Sequence, residues 1–298
     1  MRNISRNELI NLFTNYEENH PEMSLDQKLN SIFDDIKESS EDSFEEFRKL
    51  ILEANNINEY EYYTKNVRPE LKRYIGNEIF PQYERNDQGH GIVHIKEVIR
   101  RSFALNDTLK LGLDDDMIFT IAACHDWGKY EEPETGEKHS IIAGRRFIKD
   151  SIMQSLFSED DRITIKEAIE DHSSSLAEEP RSMYGKLVSS ADRNTRIEIV
   201  FIRSFFVGKV RTPDMTIEEF LDFTFKRLSK RYGDENPENM FLEDDTYRIF
   251  LKDMRNLLQD EVAFKNKYCE VNHIKSRTNK VSDEQGEINY VKKSDEGR

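Results

Sequence analysis

Apolar residues recur at three- and four-residue spacing through most of the chain. Leu9, Leu12, Phe13 and Tyr16 form one stripe, Leu25, Leu29, Ile32, Phe33 and Ile36 a second, and Phe44, Phe47, Leu50 and Ile51 a third. A period of 3.6 predicts amphipathic helices. Each stripe follows a start signal: Ser5-x-x-Glu8, Ser24-x-x-Gln27 and Ser43-x-x-Glu46 read as capping boxes. Pro69 predicts a further helix start, and Pro81 its end after Phe80. Thr216-x-x-Glu219 opens a helix carrying Ile217, Phe220, Leu221 and Leu228 that Gly233 closes, and Tyr247, Phe250, Leu251, Met254 and Leu258 mark another. Alternating runs joined by hairpin turns are missing. The predicted fold class is all-α.

Several stripes in the middle of the chain end in a side chain that does not belong in a core. Ile118, Ile121, Ala122 and His125 share one helix face, and Asp126 follows directly. Gly128 is expected to stop that helix, leaving Lys129 at the start of a loop. Ile165, Ala168, Ile169 and His172 repeat the pattern. A helix through Val188, Ala191, Asp192, Thr195 and Ile199 carries a carboxylate in its stripe. Upstream, a helix starting near Asp87 would put His90 and His94 one turn apart on one face. After the charged loop Glu131 to Lys138, His139 opens a helix whose Ala143 and Gly144 allow close approach of a neighbour. Burying such groups is costly unless they are paired or bind metal.

Composition narrows the function classes. The chain has 298 residues with 44 Lys+Arg against 59 Asp+Glu, a formal charge of -15. General nucleic-acid binding through a basic surface is thereby disfavoured. The 18 Phe and 12 Tyr supply a substantial core despite 36% hydrophobic content. Cys124 and Cys269 are too few for a disulfide framework and suit a reducing, cytoplasmic setting. Cys124, beside His125, reads as a core filler. No apolar run is long enough to span a membrane. From about Lys275 the chain offers little to bury, which predicts a disordered tail.

Together His94, His125, Asp126, His139, His172 and Asp192 make an imidazole and carboxylate set without thiolate, suited to iron, manganese or zinc. One ion with open positions needs fewer ligands, whereas two ions sharing a carboxylate would use all six. The order H…HD…H…H…D resembles the HD-domain metal-dependent phosphohydrolase superfamily. The segments carrying the resemblance are His125-Asp126-x-Gly128-Lys129, Ala168-Ile169-x-x-His172 and Ala191-Asp192-Arg193, within about Asn86 to Thr195.

The resemblance implies an HD-like helical bundle with additional N- and C-terminal helices. We place an N-terminal extension at 1–66, the core at 67–210, further helices at 211–274 and the tail at 275–298. It also implies two divalent ions, iron first and manganese next. His94, His125, Asp126 and Asp192 would hold the first, and His139 and His172 the second, with Asp126 bridging. Asp126, Lys129 and His90 are the implied catalytic residues, and Lys129, Arg145 and Arg193 the implied contacts to a phosphorylated substrate, such as a nucleotide. A homodimer is compatible with this reading. The segment after His172 does not carry the Gly-Tyr-Pro signature of cyclic dinucleotide phosphodiesterases. The layout is closer to bacterial HD hydrolases of dinucleoside tetraphosphates, sharing Ala-Ile-x-x-His and Met183 but not their Thr-Gly after the histidine. The alternatives are a di-iron oxygenase on the same scaffold and a metal-binding regulatory protein without turnover.

Overall fold

The computed structural model describes residues 4–37, 43–173, 178–235 and 240–274. Among these the regular structure is helical and no strand occurs, as the 3.6-residue periodicity predicts. No helix in this part is long and apolar enough to cross a membrane. The tail expectation concerns 275–298, which lie outside the described residues. Two compact units divide the chain, Met1–Thr195 with Pro237–Leu251, and Arg196–Asn236 with Lys252–Arg298.

In the first unit, α1 (Arg6–Asn19), α2 (Leu25–Ile36) and α3 (Phe44–Ala54) start where the capping signals stand. Ser5 and Ser24 form complete capping boxes, and Ser43 accepts the Glu46 N–H. Leu9, Leu25, Leu29, Ile32, Phe47 and Ile51 are buried among them. The short α4 (Glu59–Tyr63) and α2 both pack on α6 (Ile92–Thr108). Asp26 of α2 binds Arg48 of α3 at 2.9 Å and Arg100 of α6 at 3.0 Å, and accepts the Tyr63 hydroxyl at 3.0 Å. The N-terminal helices are thus bonded to the helix that carries His94.

Pro69 opens α5 (Pro69–Tyr74) as expected, but Pro81 does not end the segment cleanly. The α form stops at Tyr74, and the chain continues as a π turn, Ile75–Ile79, and a 3-10 turn, Phe80–Arg85. Proline lacks the N–H that an α-helix would give to Asn77, and its ring would clash with that carbonyl, so the turns widen and then tighten around it.

Beyond α6 come α7 (Asp115–Cys124), the single turn α8 (Glu132–Thr135), α9 (His139–Lys149), α10 (Ser151–Leu156), α11 (Glu159–Glu170) and α12 (Met183–Ala191). α7 is buried along Met117 to Cys124, so α6, α9, α11 and α12 surround it or one another. α9 and α11 approach closely at Gly144, where an added Cβ would lie 2.9 Å from Glu170 Cγ.

The second unit contains α13 (Ile197–Arg211), α14 (Ile217–Tyr232), α16 (Glu261–Val271) and the later part of α15 (Asp245–Leu258). Thr216 and Glu219 form the predicted capping box. Phe201, Phe220, Phe264 and Tyr268 are fully buried and build its aromatic core.

Candidate metal centre

The six ligand candidates sit at helix ends, which periodicity alone misplaces. α7 ends at Cys124, not at Gly128, and His125 is its cap. The His125 ring Nδ1 takes the Ala122 carbonyl at 2.8 Å, the acceptor that a continuing helix would offer to the Asp126 N–H. The chain then turns through Trp127 N–H to Cys124 O and Lys129 N–H to Asp126 O. Gly128 reverses it at φ +105°, and an added Cβ there would meet Ile142 Cγ2 at 2.9 Å. α11 ends in the same way, with His172 Nδ1 on the Ile169 carbonyl at 2.7 Å. The helix expected to run through Asp192 to Ile199 breaks at Ala191, because Arg101 takes over the terminal carbonyls. Its Nη1 donates to Ala191 O and Arg193 O, both at 2.6 Å. His90 does not share a helix with His94. α6 begins only at Ile92, and His90 closes a 3-10 turn, Gln88–His90, in which its Nδ1 donates to Asp87 at 2.8 Å.

These ends meet at Asp126, whose two oxygens face two different groups of residues. Oδ2 lies 3.3 Å from His125 Nε2 and 3.6 Å from His94 Nε2. Asp192 Oδ1 completes that side, 3.0 Å from His94 Nε2 and 3.8 Å from His125 Nε2. Oδ1 of Asp126 lies 3.3 Å from His139 Nε2 and 3.7 Å from His172 Nε2. The two last imidazoles are 3.2 Å apart at Nε2. His125, Asp126 and His172 are 0–2% exposed. All six residues predicted as ligands from sequence are therefore brought together.

The electrostatics of the free chain are those of a cation site. Burial opposes charge on His125, yet Asp126 and then Asp192 outweigh it and raise its pKa to about 9. Burial also opposes charge on Asp192, but His94 and His125 hold it at about 2, and His125 and His172 hold Asp126 well below the usual carboxylate range. Burial, His172 and Lys129 push His139 down to about 4, despite Asp126. His125 and Asp192 also stand at helix C-caps, and His172 one residue beyond another, where the helix dipole is negative.

The donor set fits divalent ions of intermediate hardness. It comprises four imidazoles and two carboxylates, with Nδ1 of His125 and His172 anchored on backbone carbonyls so that Nε2 can present a lone pair to the centre. Groups of three ligand atoms, from His94, His125 and Asp192 and from His125, Asp126 and His172, lie within 4.8 Å of one another. Cys124 is fully buried and its thiol is pushed upward by desolvation, as befits a core filler.

The remaining predicted residues are placed less centrally. Lys129 is ion-paired with Glu132 and its Nζ is 2.9 Å from His139 Nδ1. Arg145 makes an exposed bidentate pair with Glu137, at 2.6 and 2.8 Å. Arg193 lies over the rings of Phe241 and Tyr247, 5.6 and 5.0 Å from their centroids.

Three supporting residues escaped the sequence reading. The Asn86 amide donates to His90 O at 2.9 Å and Asp126 O at 3.3 Å, and its Oδ1 accepts the Tyr130 N–H at 3.1 Å. Glu132 Oε2 lies 3.1 Å from His139 Nδ1. Arg101 pairs with Asp244 at 2.6 Å while holding the end of α12. Asn86 and Arg101 act on backbone or on a partner distant in sequence, which no spacing rule marks. Glu132 lies in what reads from sequence as a charged loop, where its spacing to Lys129 and His139 carries no helical signal.

Compared with known families, residues 91–197 match the model described as HD domain. No curated protein and no solved structure matches.

Proposed function

We propose, on the premise that residues 91–197 form an HD domain of the metal-dependent phosphohydrolase superfamily, that this chain hydrolyses a phosphoester or phosphoanhydride of a nucleotide or similar small phosphorylated metabolite. The observation that carries the reading is Asp126, with one oxygen toward His94 and His125 and the other toward His139 and His172. A carboxylate so placed suits a bridging role between two ions. His94, His125, Asp192 and Asp126 Oδ2 would hold one ion; His139, His172 and Asp126 Oδ1 would hold the other. Iron is favoured, with manganese second. Bound there, the ions supply Lewis acidity and a water of lowered pKa.

The chain's own residues then do the rest. The carbonyls of Ala122 and Ile169 fix the rings of His125 and His172. Arg101 fixes the turn carrying Asp192. Asn86 ties the Asp126 turn to the segments bearing His90 and Tyr130. His90, held by Asp87, and Lys129 are the groups we assign to substrate contact. Arg145 and Arg193 are engaged by Glu137 and by aromatic rings. A protein of this charge attracts an anion only through local fields, which a short-range cluster of ions and Lys129 provides.

The test is metal-loaded protein, with iron or manganese, screened against nucleotides and general phosphoesters, with products compared under oxygen and argon. Phosphate release in both atmospheres, abolished by Asp126→Ala, is the expected result. An oxygen-dependent product without phosphate release would assign the oxygenase alternative instead. Metal binding without turnover of any phosphoester would favour the regulatory one.

A further inference from the structure

The His139 Nδ1 nitrogen lies between two groups that make opposite demands on it. Lys129 Nζ is 2.9 Å away. An ammonium donates and cannot accept, so toward Lys129 this nitrogen must be unprotonated. Glu132 Oε2 is 3.1 Å away. A carboxylate accepts and cannot donate, so toward Glu132 the same nitrogen must carry a proton. Lys129 and Glu132 are also paired with each other. One nitrogen cannot satisfy both neighbours at once.

The far side of the ring decides between them. With Nδ1 unprotonated, neutral His139 carries its proton on Nε2, facing His172 Nε2 at 3.2 Å and Asp126 Oδ1 at 3.3 Å. His172 Nε2 is able to accept, because its own proton is committed through Nδ1 to the Ile169 carbonyl. In the metal-free chain this arrangement is closed, with an acceptor for each donor. A metal ion on His139 Nε2 needs the opposite tautomer. The lone pair must then point inward and the proton moves to Nδ1, where it suits Glu132 and repels the Lys129 ammonium.

His125 and His172 differ in this respect. Each has its Nδ1 proton committed to a backbone carbonyl, so a metal on Nε2 asks for no change at Nδ1. We infer that Lys129 and Glu132 act as a tautomer-selecting pair on His139, so that occupation of the second metal position releases Lys129 from the ring, sets the Nδ1 proton in competition with it for Glu132 Oε2, and turns its ammonium toward a bound anion. The inference rests on the two-ion reading above and goes beyond it, since it couples the substrate-binding cation to the filling of one metal position. Lys129 and Glu132 are positioning residues in this step, and the proton merely changes nitrogen within one imidazole.

The sign of the consequence is unusual for a residue at a metal centre. Removing Lys129 strengthens metal binding at the second position, because the competing tautomer loses its partner. A simple phosphate contact predicts no such gain. Removing the charge of Glu132 weakens binding there.

The experiment uses the full chain, stripped of metal and labelled with ¹⁵N at histidine, with Zn²⁺ alone as the probe. Ring-nitrogen shifts of metal-free protein are expected to report His139 protonated at Nε2 in wild type and at Nδ1 in Lys129→Met. Calorimetric titration is expected to give Lys129→Met a second-site affinity about tenfold tighter, which corresponds to about 1.4 kcal/mol. The first site should change less, and the ring-nitrogen shifts separate tautomer selection from loss of a positive charge beside the second position, which would leave the His139 proton on Nε2. Glu132→Gln should bind the second ion about tenfold more weakly, in the range found for carboxylate partners of ligating histidines.

The inference is overturned if metal-free wild type already holds His139 protonated at Nδ1, or if Lys129→Met binds the second Zn²⁺ no more tightly. A missing second binding event in every variant would overturn the two-ion reading, and two bound ions without turnover would overturn the hydrolase reading. In either case the metal-free tautomer still decides the role of Lys129.

Discussion

Replacing Arg101 by methionine tests whether the Asp192 end of the centre is held from α6. The Arg101 side chain is 5% exposed and its partner Asp244 3%. Its guanidinium serves three carbonyls, those of Ser190, Ala191 and Arg193, besides the Asp244 carboxylate at 2.6 Å. Methionine fills similar space and donates nothing. Leaving a buried charge without its partner costs about 3–5 kcal/mol. Unsatisfied terminal carbonyls add about 1–3 kcal/mol. The two effects share one side chain and are not additive, so about 4–6 kcal/mol is expected for Arg101→Met. That is about a third or more of the stability of an ordinary domain, about 5–15 kcal/mol, and enough to unfold one at the lower end of that range.

The assay for Arg101→Met is urea unfolding followed by far-ultraviolet circular dichroism, with metal per chain measured in parallel. Asp244→Asn in the same chain removes the orphaned charge while its side-chain oxygen can still cap the Tyr247 N–H, as Asp244 does at 3.1 Å. The double variant should regain about 3 kcal/mol, the lower end of the share due to the uncompensated charge. It should not regain metal affinity, because the end of α12 still lacks its donor. A loss below about 1 kcal/mol on Arg101→Met, of the size seen for exposed pairs, with full metal content would refute this account.

Other consequences follow from the same geometry. Asp126→Ala should lose both ions by elemental analysis and His172→Ala chiefly one, so equal losses in the two variants would contradict the bridging assignment. Gly128→Ala should lower stability by about 2–4 kcal/mol through positive-φ strain and contact with Ile142, read from the urea midpoint. Asp26 sits between Arg100 and Arg48, which overcome its burial and hold its carboxyl below the ordinary value of 3.8. Its stabilising share is therefore complete above that value and lost as pH falls through the folded-state pKa. Asp26→Asn should flatten the stability profile in that acid window and cost about 3 kcal/mol at neutral pH, near the lower end for breaking a buried pair. Chelation should lower the melting temperature by about 5–10 °C for each ion present at a hundredfold excess over its Kd, from about 2.7 kcal/mol of linked stability per ion.

The helices were legible in the chain because their signals are local. A serine accepting a backbone N–H three residues on needs nothing beyond its own turn, and Ser5, Ser24 and Thr216 cap as expected. His94 and His139 became legible through the order of the family resemblance, whereas His125, His172 and Asp192 were legible for a different reason. An imidazole or carboxylate closing an apolar stripe is costly to bury, and the stripe itself says that it is buried. Less accessible was the manner in which each helix ends. Periodicity ran α7 on to Gly128, put His90 on the helix of His94 and carried α12 through Asp192. In two of these places a long-range or ring hydrogen bond takes the carbonyl that the next turn would need: His125 takes Ala122, and Arg101 takes Ala191. Such competitors lie at one turn's distance or ninety residues away, and a hydrophobic pattern registers neither.

This explains why the ligands are grouped at helix ends. A histidine within a helix shares its orientation with the whole stripe, and several such stripes cannot all aim at one point. A histidine that itself terminates the helix is released from that constraint. His125 and His172 each fix their own ring by taking the carbonyl three residues back, and the same bond that ends the helix sets the tautomer that a metal requires. His139 opens α9 and has no such carbonyl. Its ring is held by side chains, Lys129 and Glu132, which can exchange places where a backbone carbonyl cannot. The two halves of the centre thus differ in rigidity because of where each ligand stands on its helix, and the adjustable half is the one that lies beside the Lys129–Glu132 pair.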